Sequence, residues 1–145
     1  MKTYSRNFIA RCAGILLVSV FTFSSCKHHE ETAGEKTLAL LNSTWHCTRV
    51  TIDGVNRNDL FPGFVLTFAP GVYSSLNGDP VWPVAGTWSF TNSAANAITR
   101  NDGLVATITS LTNANLTLSL QWSKTTFGGG RTHSIQGAHV FEFSK

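Results

Sequence analysis

The sequence predicts an all-β domain: eight antiparallel strands in an up-and-down meander that closes into a barrel, with a two-sheet sandwich as the alternative. Three observations predict it. Apolar residues alternate with polar or small ones in Phe64/Leu66/Phe68, Gly86/Trp88/Phe90, Leu116/Leu118/Leu120/Trp122 and Phe141/Phe143, the period of strands with one face in a core and one in water. Such runs recur at roughly ten-residue intervals, punctuated by Gly, Pro, Asn and Asp, as in meanders that close on themselves. No apolar stripe of helical period reaches a useful length after Trp45.

The chain has 145 residues, room for one domain, but its first stretch has another character. Lys2, Arg6 and Arg11 make a positive start, and Ala13 to Phe23 is an apolar run too short to span a membrane as a helix. It ends in Phe23-Ser24-Ser25-Cys26, which resembles a lipobox. That resemblance implies a signal peptide over residues 1–25, cleavage before Cys26, and diacylglycerol with further acyl chains (palmitate among them) on Cys26. A single chain holds a membrane only marginally, whereas two or three anchor it stably. Because Lys27 rather than Asp follows Cys26, the resemblance implies an outer-membrane lipoprotein, facing the periplasm or the cell surface.

Loss of the leader removes the charge excess. The whole chain carries a formal +3; from Cys26 onward eight Lys and Arg oppose eight Asp and Glu, for a balance of zero. No basic patch survives to bind nucleic acid. Cys12 leaves with the leader and Cys26 takes the lipid, so Cys47 is the one thiol left and no intrachain disulfide is expected. Two residues after Trp45, it faces the core as a small hydrophobe.

Residues 26–36 form a charged segment without large apolar side chains, expected to be a flexible tether. His28, His29, Glu30 and Glu31 lie there, but converging them on a metal would oppose the entropy of a loose segment. Residues 37–145 then make the domain, with Thr37–Leu41 as a helical turn leading in. The eight strands are expected over residues 45–53, 64–69, 72–76, 84–91, 97–100, 104–111, 115–123 and 134–143.

Several segments resemble the small lipocalin-like lipoprotein domains of the Bacteroides kind. They are Ser43-Thr44-Trp45, Asp53-Gly54, Gly63-Phe64-Val65-Leu66-Thr67-Phe68, Val81-Trp82-Pro83, Gly86-Thr87-Trp88-Ser89-Phe90 and Ile98-Thr99-Arg100. The resemblance covers the chain from about Leu40 to Lys145 and implies a calycin-type barrel, often without an assigned activity.

Strand order points to a site. In a meander the odd connections share one pole and the even ones the other. The even connections, Ala69–Gly71, Asn92–Asn96 and Thr112–Ala114, are short. Three odd ones, Gly54–Gly63, Asn77–Pro83 and Lys124–His133, are long, and they carry Phe61, Trp82 and Phe127. Arg57, Asp79, Arg100 and Arg131 fall on or beside the same rim, and Gly128-Gly129-Gly130 reads as a mobile flap. Aromatic rings with a few polar groups are the usual lining of a ligand pocket. The candidate ligand-binding residues are therefore Phe61, Trp82, Phe127, Arg57 and Arg131, for a small apolar or carbohydrate-like ligand with an anionic group. In the bland reading Phe61 and Trp82 fold inward as plugs and complete the core. The alternative function, of another class, is a non-enzymatic accessory or structural envelope protein that docks a protein partner through exposed strand edges or the loop rim.

No catalytic residue, cofactor or metal site is expected. The domain's carboxylates sit mostly in turns, where Asp caps its own backbone, and none pairs with another at a spacing that sets up acid–base chemistry. His133 and His139 have no companion at ligand spacing.

Overall fold

The computed structural model describes residues 30–128 and 131–145, with the backbone alone for 126–128 and 131–133. The expected leader and Cys26 lie outside the described residues. The chain enters through a helix, α1 (Ala33–Leu41), that starts four residues earlier than the expected helical turn and takes in the end of the expected tether. The reason is local. Thr32 caps it, its hydroxyl accepting from the Glu35 N–H at 3.2 Å while the Glu35 carboxylate accepts from the Thr32 N–H at 2.7 Å. This reciprocal capping box satisfies two donors that a helix start leaves open. Leu38 and Leu41, three residues apart and so on one face, pack onto the barrel, Leu41 fully buried.

The barrel follows as β1 (Thr44–Ile52), β2 (Val55–Asn56), a 3-10 turn (Asn58–Leu60), β3 (Val65–Ala69), β4 (Val72–Leu76), β5 (Ala85–Phe90), β6 (Ala97–Arg100), β7 (Val105–Leu111), β8 (Asn115–Trp122), β9 (Thr126–Gly128), β10 (Arg131–Ser134) and β11 (Gly137–Ser144). Neighbours run β11-β8-β7-β6-β5-β4-β3-β1, and β1 pairs again with β11, so eight antiparallel strands close on themselves. Closure leaves those strands no free edge. All eight expected strands are present, and the barrel, not the sandwich, is the fold.

Three short strands lie in connections that the sequence marked as loops. Asp53 and Gly54, both at positive φ, make the tight turn that folds β2 back on β1, with Ile52 opposite Val55; Asp-Gly is the usual pair for such a turn. β9 and β10 form their own two-stranded ribbon between β8 and β11. Gly129 and Gly130, and with them the expected flap, lie outside the described residues.

The alternating residues point inward as expected. Leu66, Phe68, Leu116, Leu118, Phe141 and Phe143 are buried, around Trp45 and Ile98. Each such side chain adds about 1.5–3 kcal/mol when fully buried. Cys47 is half-buried beside this core, its thiol reaching the Arg49 carbonyl. Burial pushes it up to about 12, so the thiol stays protonated and inert at neutral pH.

The two poles differ. At the even pole α1 closes the barrel: the Trp45 indole donates to the Leu41 carbonyl at 2.9 Å, Gly34 lies against the Phe90 ring, and Lys145 covers Trp45 with its ammonium 4.8 Å from the ring. The odd pole carries the long connections.

Candidate functional site

Phe61 and Trp82 both enter from the odd pole, as strand parity requires, but neither lines an open mouth. Both fill it. The 3-10 turn drops Phe61 over the barrel, 4% exposed, where its ring meets Phe141 edge-on at 5.2 Å, His139 at 6.2 Å and Phe64 at 6.0 Å. Trp82 is 0% exposed and reaches deep, its indole edge-on to Tyr73 at 5.5 Å and to Phe68 at 6.2 Å. Those two residues belong to the closed-pole halves of β4 and β3, so the indole reaches past the rim into the interior.

The connection that carries Trp82 is pinned on several sides. The Trp82 N–H donates to the Gly78 carbonyl at 2.8 Å, and the Ser75 hydroxyl donates to the Trp82 and Pro83 carbonyls at 2.8 and 3.1 Å. Gly78 permits the fold-down: a Cβ there would lie 2.6 Å from the Phe64 ring and 2.8 Å from Trp82 Cβ, closer than atoms pack. Asn77 ties this connection to the first one by donating to the Pro62 carbonyl at 3.1 Å.

Arg100 closes the arrangement from β6. In phase with buried Ile98, it points inward and is 2% exposed. Its guanidinium lies over the Trp82 ring at 4.9 Å and beside Tyr73 at 5.8 Å, donates through Nη1 to the Val81 carbonyl at 2.5 Å, and forks onto Asp102 through Nε at 3.2 Å and through Nη2. Burial pushes the Asp102 carboxyl up, but the Arg100 guanidinium and the Leu104 N–H outweigh it and hold the group below the ordinary carboxylate range. A buried cation needs such a partner. Its role is structural, tying the Val81–Trp82 backbone to the β6–β7 turn. Its place beside a connection at the odd pole predicts the rim for Arg100; the signal that turns it inward is its even spacing from Ile98.

Arg57 is engaged within its own turn. Its Nε and Nη2 both lie 3.0 Å from the Asp59 carboxylate, each partner stabilising the other's charge, the arginine held higher and the aspartate lower than usual. The expected reader of an anionic ligand is thus already paired within its own turn. The Phe127 and Arg131 side chains, and that of His133, lie outside the described residues; their strands form the ribbon, and β10 runs beside the 3-10 turn.

Two buried polar atoms have no partner among the described residues: Trp82 Nε1 and His139 Nε2. His139 is fully buried, stacked on Phe141 at 5.7 Å, with Nδ1 3.1 Å from the Gly137 carbonyl. The contrast among tryptophans is informative, since Trp45, Trp88 and Trp122 each donate, to Leu41, to Ala69 and Val72, and to Ser134. Among the described residues no three of His, Cys, Asp and Glu come together as a metal set.

Outside the filled interior, the rim carries a shallow groove of about 450 Å³ between Leu60, Pro62, Leu76 and Val84, with Asn77 and Asp79 at one side. Leu76 and Val84 are 61% and 65% exposed. Asp79 has no ion-pair partner among the described residues. No protein-family model matches the chain, and no curated protein matches it either.

Proposed function

We propose that this chain is a lipid-anchored envelope protein of lipocalin-like fold, held at the outer membrane through Cys26, whose barrel is a non-enzymatic docking module for a protein partner. One observation carries the docking reading: Phe61 and Trp82 close the mouth from inside, while apolar Leu76 and Val84 stay exposed on the same rim. Exposed aliphatic side chains gathered beside polar ones are how interaction sites stand out from ordinary surface. The groove suits a protein segment with an apolar anchor for Leu76 and Val84 and a basic side chain for Asp79. Photo-crosslinkers placed in turn at Val84 and Leu76 in intact cells should capture one discrete partner, and Leu76→Asp should abolish capture from position 84 as Val84→Asp should from position 76. A crosslinker on the barrel wall at Thr107 should capture none; equal capture from all three sites would overturn the reading. The anchor is tested separately, since Cys26→Ser should lose palmitate incorporation and leave the membrane fraction.

A second reading, a small apolar or sugar-like guest inside the barrel, draws on the two unpartnered nitrogens. A guest with a hydrogen-bond acceptor would satisfy Trp82 Nε1, and buried polar atoms rarely stay unsatisfied. It requires Trp82 or Phe61 to swing out. Native mass spectrometry of protein taken from cells distinguishes the two: a bound mass that disappears with Trp82→Phe favours the guest, and bare protein favours docking.

A further inference from the structure

We infer that Asn77 is a site of spontaneous modification: its side-chain amide is lost to attack by the next backbone nitrogen, and the loss unties the two connections that plug the barrel. The inference depends on neither lipidation nor docking.

Asn77-Gly78 is the one place in the chain where glycine follows asparagine, and the fold selects both residues. Position 77 has a φ of 59°, a left-handed conformation that asparagine adopts more readily than most side chains. Position 78 admits no Cβ, because the Phe64 ring and Trp82 Cβ stand where it would be. The same pair is chemically labile. With no side chain on Gly78, its nitrogen is open to close approach, and its N–H makes no hydrogen bond among the described residues. Asn77 is exposed, so water and base reach it.

The reaction needs only water and base. Base takes the Gly78 amide proton, the nitrogen attacks Asn77 Cγ, and an N–Cγ bond forms. The Cγ–Nδ2 bond then breaks, and Nδ2 leaves as ammonia, taking up the proton that the base removed. A five-membered imide is left. Water opens it at one of its two carbonyls: at Cγ it yields aspartate, and at the Asn77 backbone carbonyl it yields isoaspartate, whose main chain runs through the former side chain.

Nδ2 is the atom that joins the plugs. It lies 3.1 Å from the Pro62 carbonyl oxygen and 3.4 Å from that of Gly63 and donates to both, fastening the connection that bears Trp82 to the one that bears Phe61. Both bonds lie at the exposed rim and restrain the amide without enclosing it. Either product removes these donors and leaves a carboxylate, which can only accept, beside carbonyl oxygens that have lost their partner. Isoaspartate also adds a methylene to the main chain next to Gly78, where Phe64 and Trp82 leave no room for one.

In the test, the protein is kept for weeks in warm, mildly alkaline buffer, then digested, and its peptides are weighed. The peptide carrying Asn77 should gain one mass unit, with isoaspartate among the products. Its rate should be several-fold above that of the peptides carrying Asn42 and Asn92, each followed by serine. Conversion at Asn77 that is no faster than at those two overturns the site. The untying is read by amide hydrogen exchange over residues 60–64 and 78–82. Aged protein and Asn77→Asp should both exchange several-fold faster there than fresh protein, with β7 and β8 unchanged. Asn77→Gly, which accepts the left-handed turn and has no amide to lose, should show the fast exchange from the start and gain no mass. Exchange that stays at the fresh level in all three overturns the untying alone.

Discussion

His139 is the residue whose chemistry is most at odds with its surroundings. Its ring is enclosed by Phe61 and Phe141, and burial holds it below its ordinary value of 6.5, against the upward pull of the Gly137 carbonyl and the Asp53 carboxylate. The unfolded chain therefore takes up this proton first. The stability that depends on neutral His139 is complete above about pH 6.5 and falls away as pH drops from there toward the lowered value, by at most about 1.4 kcal/mol per pH unit. The carboxylates held low, Asp59 and Asp102, act only below about pH 4 and leave the window clear. His139→Phe keeps a flat ring on Phe141 and removes both nitrogens. Its urea midpoint should vary less between pH 7 and pH 5 than that of the parent chain, and an unchanged pH dependence would assign the effect elsewhere. None of this is legible in the sequence, where His139 is one of two histidines an even number apart. Its burial depends on Phe61 arriving from a connection roughly 80 residues earlier, and a contact of that kind has no local signature.

Among the elements, α1 shows how a local signal can be outvoted by composition. Thr32-Ala33-Gly34-Glu35 has the spacing of a capping box, yet it stands in a charged stretch with a glycine that weakens helices by about 1 kcal/mol. Leu38 and Leu41 decide the matter by burying against the barrel floor, since short helices are held by packing more than by propensity. Thr32→Ala should therefore lower global stability by about 1 kcal/mol, read as a shift in the urea midpoint with the slope unchanged. Thr32→Ser, which keeps the acceptor oxygen, should restore it. The strands were easier to read, because a strand's period shows within five or six residues; the register of β3 on β4, with Phe68 opposite Tyr73 and Leu66 opposite Ser75, carries that period into the barrel. β9 and β10 were not, because the Gly-rich segment between Trp122 and His133 offers no apolar alternation to mark a ribbon.

For the whole molecule, strand parity places Phe61 and Trp82 at one pole, and that much follows from counting connections. Whether the two rings line a cavity or fill it does not, because it depends on the volume enclosed by eight strands and on the inward turn of Arg100 beneath Trp82. The filled interior separates stability from recognition, and two substitutions make the separation measurable. Phe141 touches Phe61, Phe64, Trp82, His139 and Phe143, so Phe141→Ala should destabilise the barrel by about 3–5 kcal/mol. Val84→Asp lies on the exposed rim and should change stability by no more than about 0.5 kcal/mol, while a charge in place of the valine removes the contact for the segment's apolar anchor and would have to be desolvated beneath it. Partner capture should then follow the rim and ignore the core: lost in Val84→Asp, and kept in Phe141→Ala at temperatures where that variant is still folded. The reverse pattern, with capture surviving Val84→Asp and failing in folded Phe141→Ala, would mean that the interior is the recognising surface and that Phe61 and Trp82 are gates instead of plugs.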